Sequence, residues 1–472
     1  MIRFIKFFIL IPVLAGCSLS DTDSNSQDWS ISVLPASIRL DPSTNEILDF
    51  KFNAVEQQQP YPRDVLKKNW IYDGSKVSLY AARGEYISFQ LVVMNNTNST
   101  LKAINVEMPA FSNSEFHFNI NPEFFLEWAV EVKTPSTGYP KASLGKGWYP
   151  DALIPFQYIQ MDSSKVGRRW TYPLELPDFN NRIDHQKSMI VWIDQYIPFE
   201  YENARPGTYT SVISVAIGNR IEKIPIELNI WDFAIPNENL LKASLQHEGF
   251  LSRSSEQQEL EIYQLFKRNR IGLMTNNRNI KLNWDLVDHR LKKYFTGDAF
   301  TSDYGYNYGP GYGEPIETYI LPFDVYGKHG TRGWPDIGKP VVERNPENRS
   351  LYTAVIKEVR NHLQSMIDPG KTEITVYLNG LDESYFPEAW DRMVYYGDLF
   401  KEEYPEIRFR IDGSYSEEAM KIVQHSIHSW ASHTINYNID KVRKYQDMGI
   451  EDWLYGPMLY ESKVNSWVGS ST

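Results

Sequence analysis

The sequence predicts a multidomain chain: an N-terminal all-β sandwich followed by a (β/α)8 TIM-type barrel that stops after its seventh strand. Three observations predict it. Up to about residue 232, apolar and polar residues alternate at period two between turns rich in Pro, Asn and Gly. After Leu241, short apolar strands take turns with amphipathic helical stretches, the rhythm of a parallel sheet with crossover helices. Beyond the seventh strand only "KVNSWVGSST" follows "YGPMLYES", too little for a helix, an eighth strand and its closing helix. The expectation is a C-terminally truncated barrel. The division that results is a leader over 1–17, a flexible tether over 18–28, the β-sandwich over 29–236 and the barrel over 237–472.

The leader, "MIRFIKFFILIPVLAGC", sets Arg3 and Lys6 ahead of an apolar run too short for a membrane span, the layout of a signal peptide. Its last four residues, Leu14-Ala15-Gly16-Cys17, match the bacterial lipobox, in which the cysteine is lipidated and becomes the mature N-terminus. A membrane partner through an N-terminal lipid anchor is therefore expected, with the protein in the bacterial cell envelope on the periplasmic or surface face of a membrane. The following "SLSDTDSNSQD" is small, polar and acidic, as a flexible tether should be. Cys17 is the sole cysteine of the chain, which excludes an intrachain disulfide, a cysteine nucleophile in the body and any cysteine-based zinc site.

With 472 residues, 42% of them hydrophobic, the chain can bury sizeable cores. A formal net charge of -12 argues against a nucleic-acid partner, whose phosphates need a basic surface. The 13 Trp and 30 Tyr fit core packing and, equally, stacking platforms for sugar rings; composition does not choose.

In the first half, "YISFQLVVM" places Ile87, Phe89, Leu91 and Val93 on one face. "GTYTSVISVAIGNRIEKIPIELNIW" reads as a hairpin. Tyr209, Ser211, Ile213, Val215 and Ile217 share a face on the outgoing strand, Gly218-Asn219 makes the turn, and Ile224, Ile226, Leu228 and Ile230 share a face on the return. Pro225 puts part of that return strand at an edge. "WDFAIPNEN" breaks the pattern and marks the boundary.

The second half then reads strand by strand: "LKASLQHEG", "GLMTN", "ETYILPFDV", "EITVYLNG", "EIRFRIDGS", "IHSWASH" and "DWLYGPM". Helices are expected over "SSEQQELEIYQLFKRNRI", capped by Ser254 or Ser255, and over "NWDLVDHRLKKYF", "RSLYTAVIKEVRNHLQSM" and "NIDKVRKYQDMG". A further helix is expected over "PEAWDRMVYYGDLFKEEYP", where Pro387 suits the first turn. The Gly/Tyr-rich "DYGYNYGPGYGEP" lacks the Lys-Ser/Thr ending of a phosphate loop and is expected to be a long loop over the barrel mouth.

In such a barrel, chemistry sits at the C-terminal ends of the strands. There, after strand four, stand Asp382 and Glu383. A direct-displacement glycosidase needs two carboxyl groups straddling the anomeric carbon, about 5 Å apart when retaining and ~6.5–9.5 Å apart when inverting. Consecutive residues suit a different division of labour. The carbonyl oxygen of a 2-acetamido group on the substrate attacks the anomeric carbon. Asp382 holds and polarises the acetamido N–H. Glu383 protonates the leaving oxygen and then deprotonates the attacking water. Two neighbouring carboxylates raise the proton affinity of at least one, which supplies the acid.

This layout resembles the family-123 glycoside hydrolases, bacterial β-N-acetylgalactosaminidases, together with the broader uncharacterised family related to their catalytic domain. The resemblance is carried in order by "AARGEYISFQLVV", "GWYPDALIPF", "RPGTYTSVISV", "IELNIWDFAIP", "LFKRNRIGLM", "ITVYLNGLDES" and "GIEDWLYGPM". It implies a β-sandwich followed by a (β/α)8 barrel, substrate-assisted retaining catalysis by Asp382 and Glu383, and release of β-linked N-acetylgalactosamine or a related 2-acetamido sugar from glycans. No metal or organic cofactor is implied. The family commonly has Pro after the acidic pair, where this chain has Ser384.

Other residues are candidates for substrate binding. Asn379, on the same strand end, either bonds a sugar hydroxyl or serves the turn. Trp430 at strand six, and Trp453 with Tyr455 at strand seven, are candidate apolar walls of a sugar subsite; core packing is the commoner fate of strand aromatics. Tyr437 is placed to bond the acetamido carbonyl or is a surface tyrosine. His247, ending strand one, either contacts the sugar or is a satisfied core histidine. His425, His428 and His433 match no common zinc spacing, and no metal site is expected. A second reading stays open: a surface glycan-binding lipoprotein with a degenerate barrel that keeps the aromatic subsite without turnover.

Overall fold

The computed structural model describes residues 27–48, 64–134, 145–159, 174–240, 243–246, 255–274, 284–321, 323, 325, 346–433 and 437–455. The leader, Cys17, most of the tether and His247 lie outside the described residues.

The alternating first half forms strands β1 (Trp29–Pro35), β2 (Val77–Arg83), β3 (Tyr86–Asn95), β4 (Leu101–Glu107), β5 (Glu123–Val132), β6 (Gly147–Pro155), β7 (Leu174–Leu176), β8 (Ser188–Tyr196), β9 (Gly207–Ile217) and β10 (Arg220–Ala234). They make two five-stranded sheets, ordered β1-β3-β8-β5-β6 and β2-β10-β9-β4-β7. Pairing is antiparallel throughout except between β2 and β10. One core joins the sheets: Phe89, Leu91, Val93, Val191 and Ile193 from the first meet Ile213, Val215, Ile226 and Leu228 from the second. Each such side chain contributes about 1.5–3 kcal/mol by leaving water.

The hairpin forms in the expected register, with Ile217 opposite Arg220 and only Gly218-Asn219 between them. Gly218 takes a φ of 60°, the positive first position of a type II′ turn. Pro225 pairs with Val212 of β9, and the β2 ladder begins one residue later at Ile226, so its missing N–H falls where the strand has only one neighbour.

The second half alternates as β11 (Ser244–Gln246), α1 (Glu256–Arg268), β12 (Gly272–Met274), α2 (Trp284–Thr296), β13 (Thr318–Leu321), α3 (Pro346–Leu363), β14 (Glu373–Tyr377), α4 (Pro387–Glu403), β15 (Arg408–Asp412), α5 (Glu417–Val423), β16 (Ser429–His433), α6 (Ile439–Gln446) and β17 (Glu451–Tyr455). Strand β11 pairs with β12, and β13 to β17 lie side by side in chain order as one parallel half-barrel sheet. Ser255 caps α1 with a reciprocal capping box to Gln258, and Pro387 opens α4. Helix α5 was not expected; at seven residues it is too short to display a helical period.

The outer face of the half-barrel packs on the helices. Val376, Leu378, Phe409, Ile411 and Trp430 share a core with Val359, Met393, Phe400, Met420 and Tyr445. Alternation turns the intervening residues inward; beside Ile320 and Ala431 these include Thr375 and Tyr377 on β14, Arg410 and Asp412 on β15, His433 on β16 and Tyr455 on β17.

The Gly/Tyr-rich segment does not cover the mouth. It joins α2 to β13 and so leads into a strand's N-terminal end, opposite the site. There it meets the β-rich half: the Tyr308 ring stacks on Tyr196 at 5.9 Å, and its hydroxyl donates to Glu123 at 3.3 Å. Beside it, Arg268 forks onto Glu123 and lies 4.2 Å over the Tyr86 ring, while Arg270 donates to the Gly84 carbonyl at 2.9 Å. Arg268 ends a helix, and Arg270 and Tyr308 follow one, so the first half abuts the strand N-termini.

Candidate active site

The two acids follow β14 through one tight turn. Asn379–Leu381 form a buried 3-10 turn after Leu378, and the Asp382 N–H donates to the Asn379 carbonyl at 3.2 Å. Asn379 is thus buried as turn scaffold. Asp382 is extended (φ -58°, ψ 132°), and Glu383 then switches to the left-handed region with φ 44°. A non-glycine residue there costs about 1–2 kcal/mol. The switch breaks the strand alternation that would send neighbouring side chains to opposite faces. Both carboxylates act on the same three groups, Asp412, Tyr385 and Tyr455, so both lie close to them.

The turn is pinned from neighbouring strands. The Glu383 N–H donates to the Asp412 carbonyl at 3.3 Å. Ser384 is buried and its Oγ donates to the Asp382 carbonyl at 3.2 Å, so this serine closes the loop by hydrogen bonding. The Tyr455 hydroxyl donates to Glu383 Oε1, and its ring meets His433 edge-on at 5.2 Å. Tyr377 is hydrogen-bonded to the Asp382 carboxylate; burial and the nearby Asp412 and Asp382 charges hold its phenol far above the usual range. Burial, followed by the Glu383 carboxylate, does the same to Tyr455.

Beneath the acids, Arg410 forks onto Asp412 at 2.8 and 2.9 Å and lies 5.1 Å over the Tyr377 ring. Burial pushes the Asp412 carboxyl up, against the pull of Arg410, and the Asp382 and Glu383 charges push the same way. Tyr415 donates to the Asp412 carbonyl at 3.1 Å and packs 5.4 Å from the half-exposed Tyr385. Gly413, at φ 143°, leaves them room: a Cβ there would lie 3.0 Å from Tyr415 and 3.1 Å from the Tyr385 hydroxyl.

The sequence candidates divide accordingly. Asp382, Glu383 and Tyr455 come together, and Trp453 shares the inward face of β17 with Tyr455, half-buried. Trp430 does not line a subsite. It is 3% exposed on the helix side, its Nε1 donates to the Gly413 carbonyl at 2.7 Å, and Tyr445 and Lys441 cover its ring. Tyr437 is exposed beyond β16. Among the described residues no group of three His, Cys, Asp or Glu side chains is placed to hold a metal ion. His428 instead accepts the Phe409 N–H at 3.0 Å, and burial drives it down to about 4. Tyr377, Tyr385, Arg410, Asp412 and Tyr415 were not anticipated. Of these, Arg410 and Asp412 had a signal in "RFRID", where charges alternate with apolar residues along the strand.

No family model and no curated protein matches the sequence. Among solved structures, the chain is similar to a family 123 glycoside hydrolase from Clostridium perfringens, studied for glycolipid glycan hydrolysis. The TM-score is 0.51 at 12% identity over 90% of this chain and 72% of that one. A glycosyl hydrolase family 2 member from Bacteroides cellulosilyticus (TM-score 0.23, 8% identity, 78% of this chain and 38% of that one) and a Parabacteroides merdae β-glucuronidase (0.24, 7%, 78% and 36%) lie much further off. The chain has a glycoside-hydrolase-like fold, mostly β with a half-barrel sheet, similar to that family 123 enzyme.

Proposed function

We propose that this chain is a retaining glycoside hydrolase that releases β-linked N-acetylgalactosamine, or a related 2-acetamido sugar, from glycans by substrate assistance. The observation that carries the reading is the pair of consecutive carboxylates past the end of β14, with Glu383 left-handed and bonded by Tyr455, and both acids acting on Asp412. Asp382 orients the acetamido group, whose carbonyl oxygen attacks the anomeric carbon. Glu383 gives its proton to the leaving oxygen. It then takes one from the water that opens the oxazoline-type intermediate. Tyr455 holds Glu383, and Trp453 offers a sugar face beside it; His247 and Tyr437 remain candidates for contacts to the sugar. The fold likeness to a family 123 enzyme supports this assignment.

In the same reading, residues 29–236 are a β-sandwich, residues 237–472 belong to a (β/α)8 barrel, and Cys17 carries a lipid that tethers the protein in the bacterial envelope. Among the described residues no helix is long and apolar enough to cross a membrane.

The test uses an aryl β-N-acetylgalactosaminide with wild type, Glu383→Gln and Asp382→Asn. Glu383→Gln is expected to lose at least about 100-fold in kcat, the scale of general acid–base catalysis. Asp382→Asn is expected to lose activity chiefly on substrates that bear the acetamido group. Wild-type rates in both variants refute the proposal; glycan binding without aryl-alcohol release by the wild type establishes the glycan-binding reading instead.

A further inference from the structure

The Arg410–Asp412 pair has no part in the reaction so far. Both residues are buried, at 6% and 7% exposure, on the inward face of β15 at its mouth end. A buried ion pair is weak evidence for stability, since apolar residues of equal volume do as well or better. This pair reaches both acids. It meets Glu383 through the Asp412 carbonyl, which accepts the Glu383 N–H at 3.3 Å, and Asp382 through Tyr377, which lies under Arg410 and is bonded to the Asp382 carboxylate.

We propose that Arg410 and Asp412 are positioning residues that hold the acidic pair in place and set the charge beside it. The inference rests on the reading of Asp382 and Glu383 as the catalytic pair. Among the described residues, the groups facing Asp412 are Arg410 on its own strand, Tyr377 from β14, Asp382 and Glu383 from the loop after β14, and Tyr415 from the loop after β15; Tyr385 and, from β17, Tyr455 face the two acids. Arg410 and Asp412 carry opposite charges, and removing either changes the charge beside the acids by one unit of known sign.

Asp412→Asn keeps the shape and the carbonyl but removes one negative charge beside the acids, which favours their ionised forms. The basic limb of the pH–rate profile is expected to move toward acid by about one pH unit. Arg410→Met leaves Asp412 uncompensated, and the limb is expected to move the other way. That shift is smaller, because burial already inclines Asp412 to take up a proton. A purely structural role lowers activity in both variants without opposite shifts. Arg410→Lys keeps the charge and loses the fork; its limb is expected to stay put while kcat falls.

The experiment measures kcat and kcat/KM against pH for the full chain and these variants on an aryl 2-acetamido-glycoside, with Glu383→Gln as control. An unmoved limb in Asp412→Asn, or shifts of the same sign in Asp412→Asn and Arg410→Met, overturns the inference. Should one of the two variants fail to fold, the other decides: a limb that stays put or moves against its expected direction overturns the inference, and a shift in the expected direction with a fall in kcat for Arg410→Lys upholds it. Glu383→Gln that hydrolyses like wild type overturns the underlying reading, whatever the limbs do.

Discussion

Tyr455→Phe removes one hydroxyl and leaves the ring. The lost interaction is the O–H that donates to Glu383 Oε1, while the edge-on contact with His433, 5.2 Å between centroids, is retained. A hydrogen bond to a charged group contributes about 1.5–3 kcal/mol. Glu383 is only half-buried, so water takes over part of that donation and the lower end applies. About 1.4 kcal/mol corresponds to tenfold in rate. On an aryl β-N-acetylgalactosaminide, Tyr455→Phe is therefore expected to lose roughly tenfold in kcat with KM little changed, because the ring stays. Tyr455→Leu removes ring and hydroxyl together and is expected to raise KM as well. A Phe variant with kcat within about twofold of wild type refutes the positioning role. If the Leu variant also retains wild-type KM, Tyr455 does not border the sugar.

Two further outcomes follow from packing and burial. Trp430→Ala removes a core side chain 3% exposed and is expected to cost about 3–5 kcal/mol in urea unfolding, whereas a subsite wall would cost binding and little stability. Burial pushes the Glu127 carboxyl in β5 up to about 7, so the folded state keeps its proton where the unfolded chain, near pH 4.5, has released it. Stability from this group is full below about pH 4.5 and lost as pH rises through 7, and Glu127→Gln is expected to gain in denaturation midpoint over wild type between pH 5 and 8; a midpoint difference flat with pH refutes that assignment.

Periodicity made most of the architecture legible. The hairpin register followed from Gly218-Asn219, and the strand order of the half-barrel followed from its β-α rhythm. Pro225 marked the residue where one ladder had not begun. The Gly/Tyr-rich loop was misplaced by looking at its composition and not at its position: a segment leaving a helix and entering a strand lies at the strand's N-terminal end. Trp430 shows the limit of strand-end reasoning, because being one position off in a period-two element reverses the face. The adjacency of Asp382 and Glu383 was plain in the sequence, but no sequence rule told that Glu383 would be left-handed. That conformation is imposed by the Asp412 carbonyl and by Tyr455, which arrive from two other strands. The supporting residues were hardest to see, since each is ordinary alone and meets the others only across parallel strands.

The docking of the β-rich half has a consequence for access. Arg268, Arg270 and Tyr308 hold it to the loops that feed the strand N-termini, while Asp382 and Glu383 sit past the other ends of strands five residues long. About 16 Å of strand therefore separates the docking seam from the acids. Access to the carboxylates therefore does not run through the contacts of the seam.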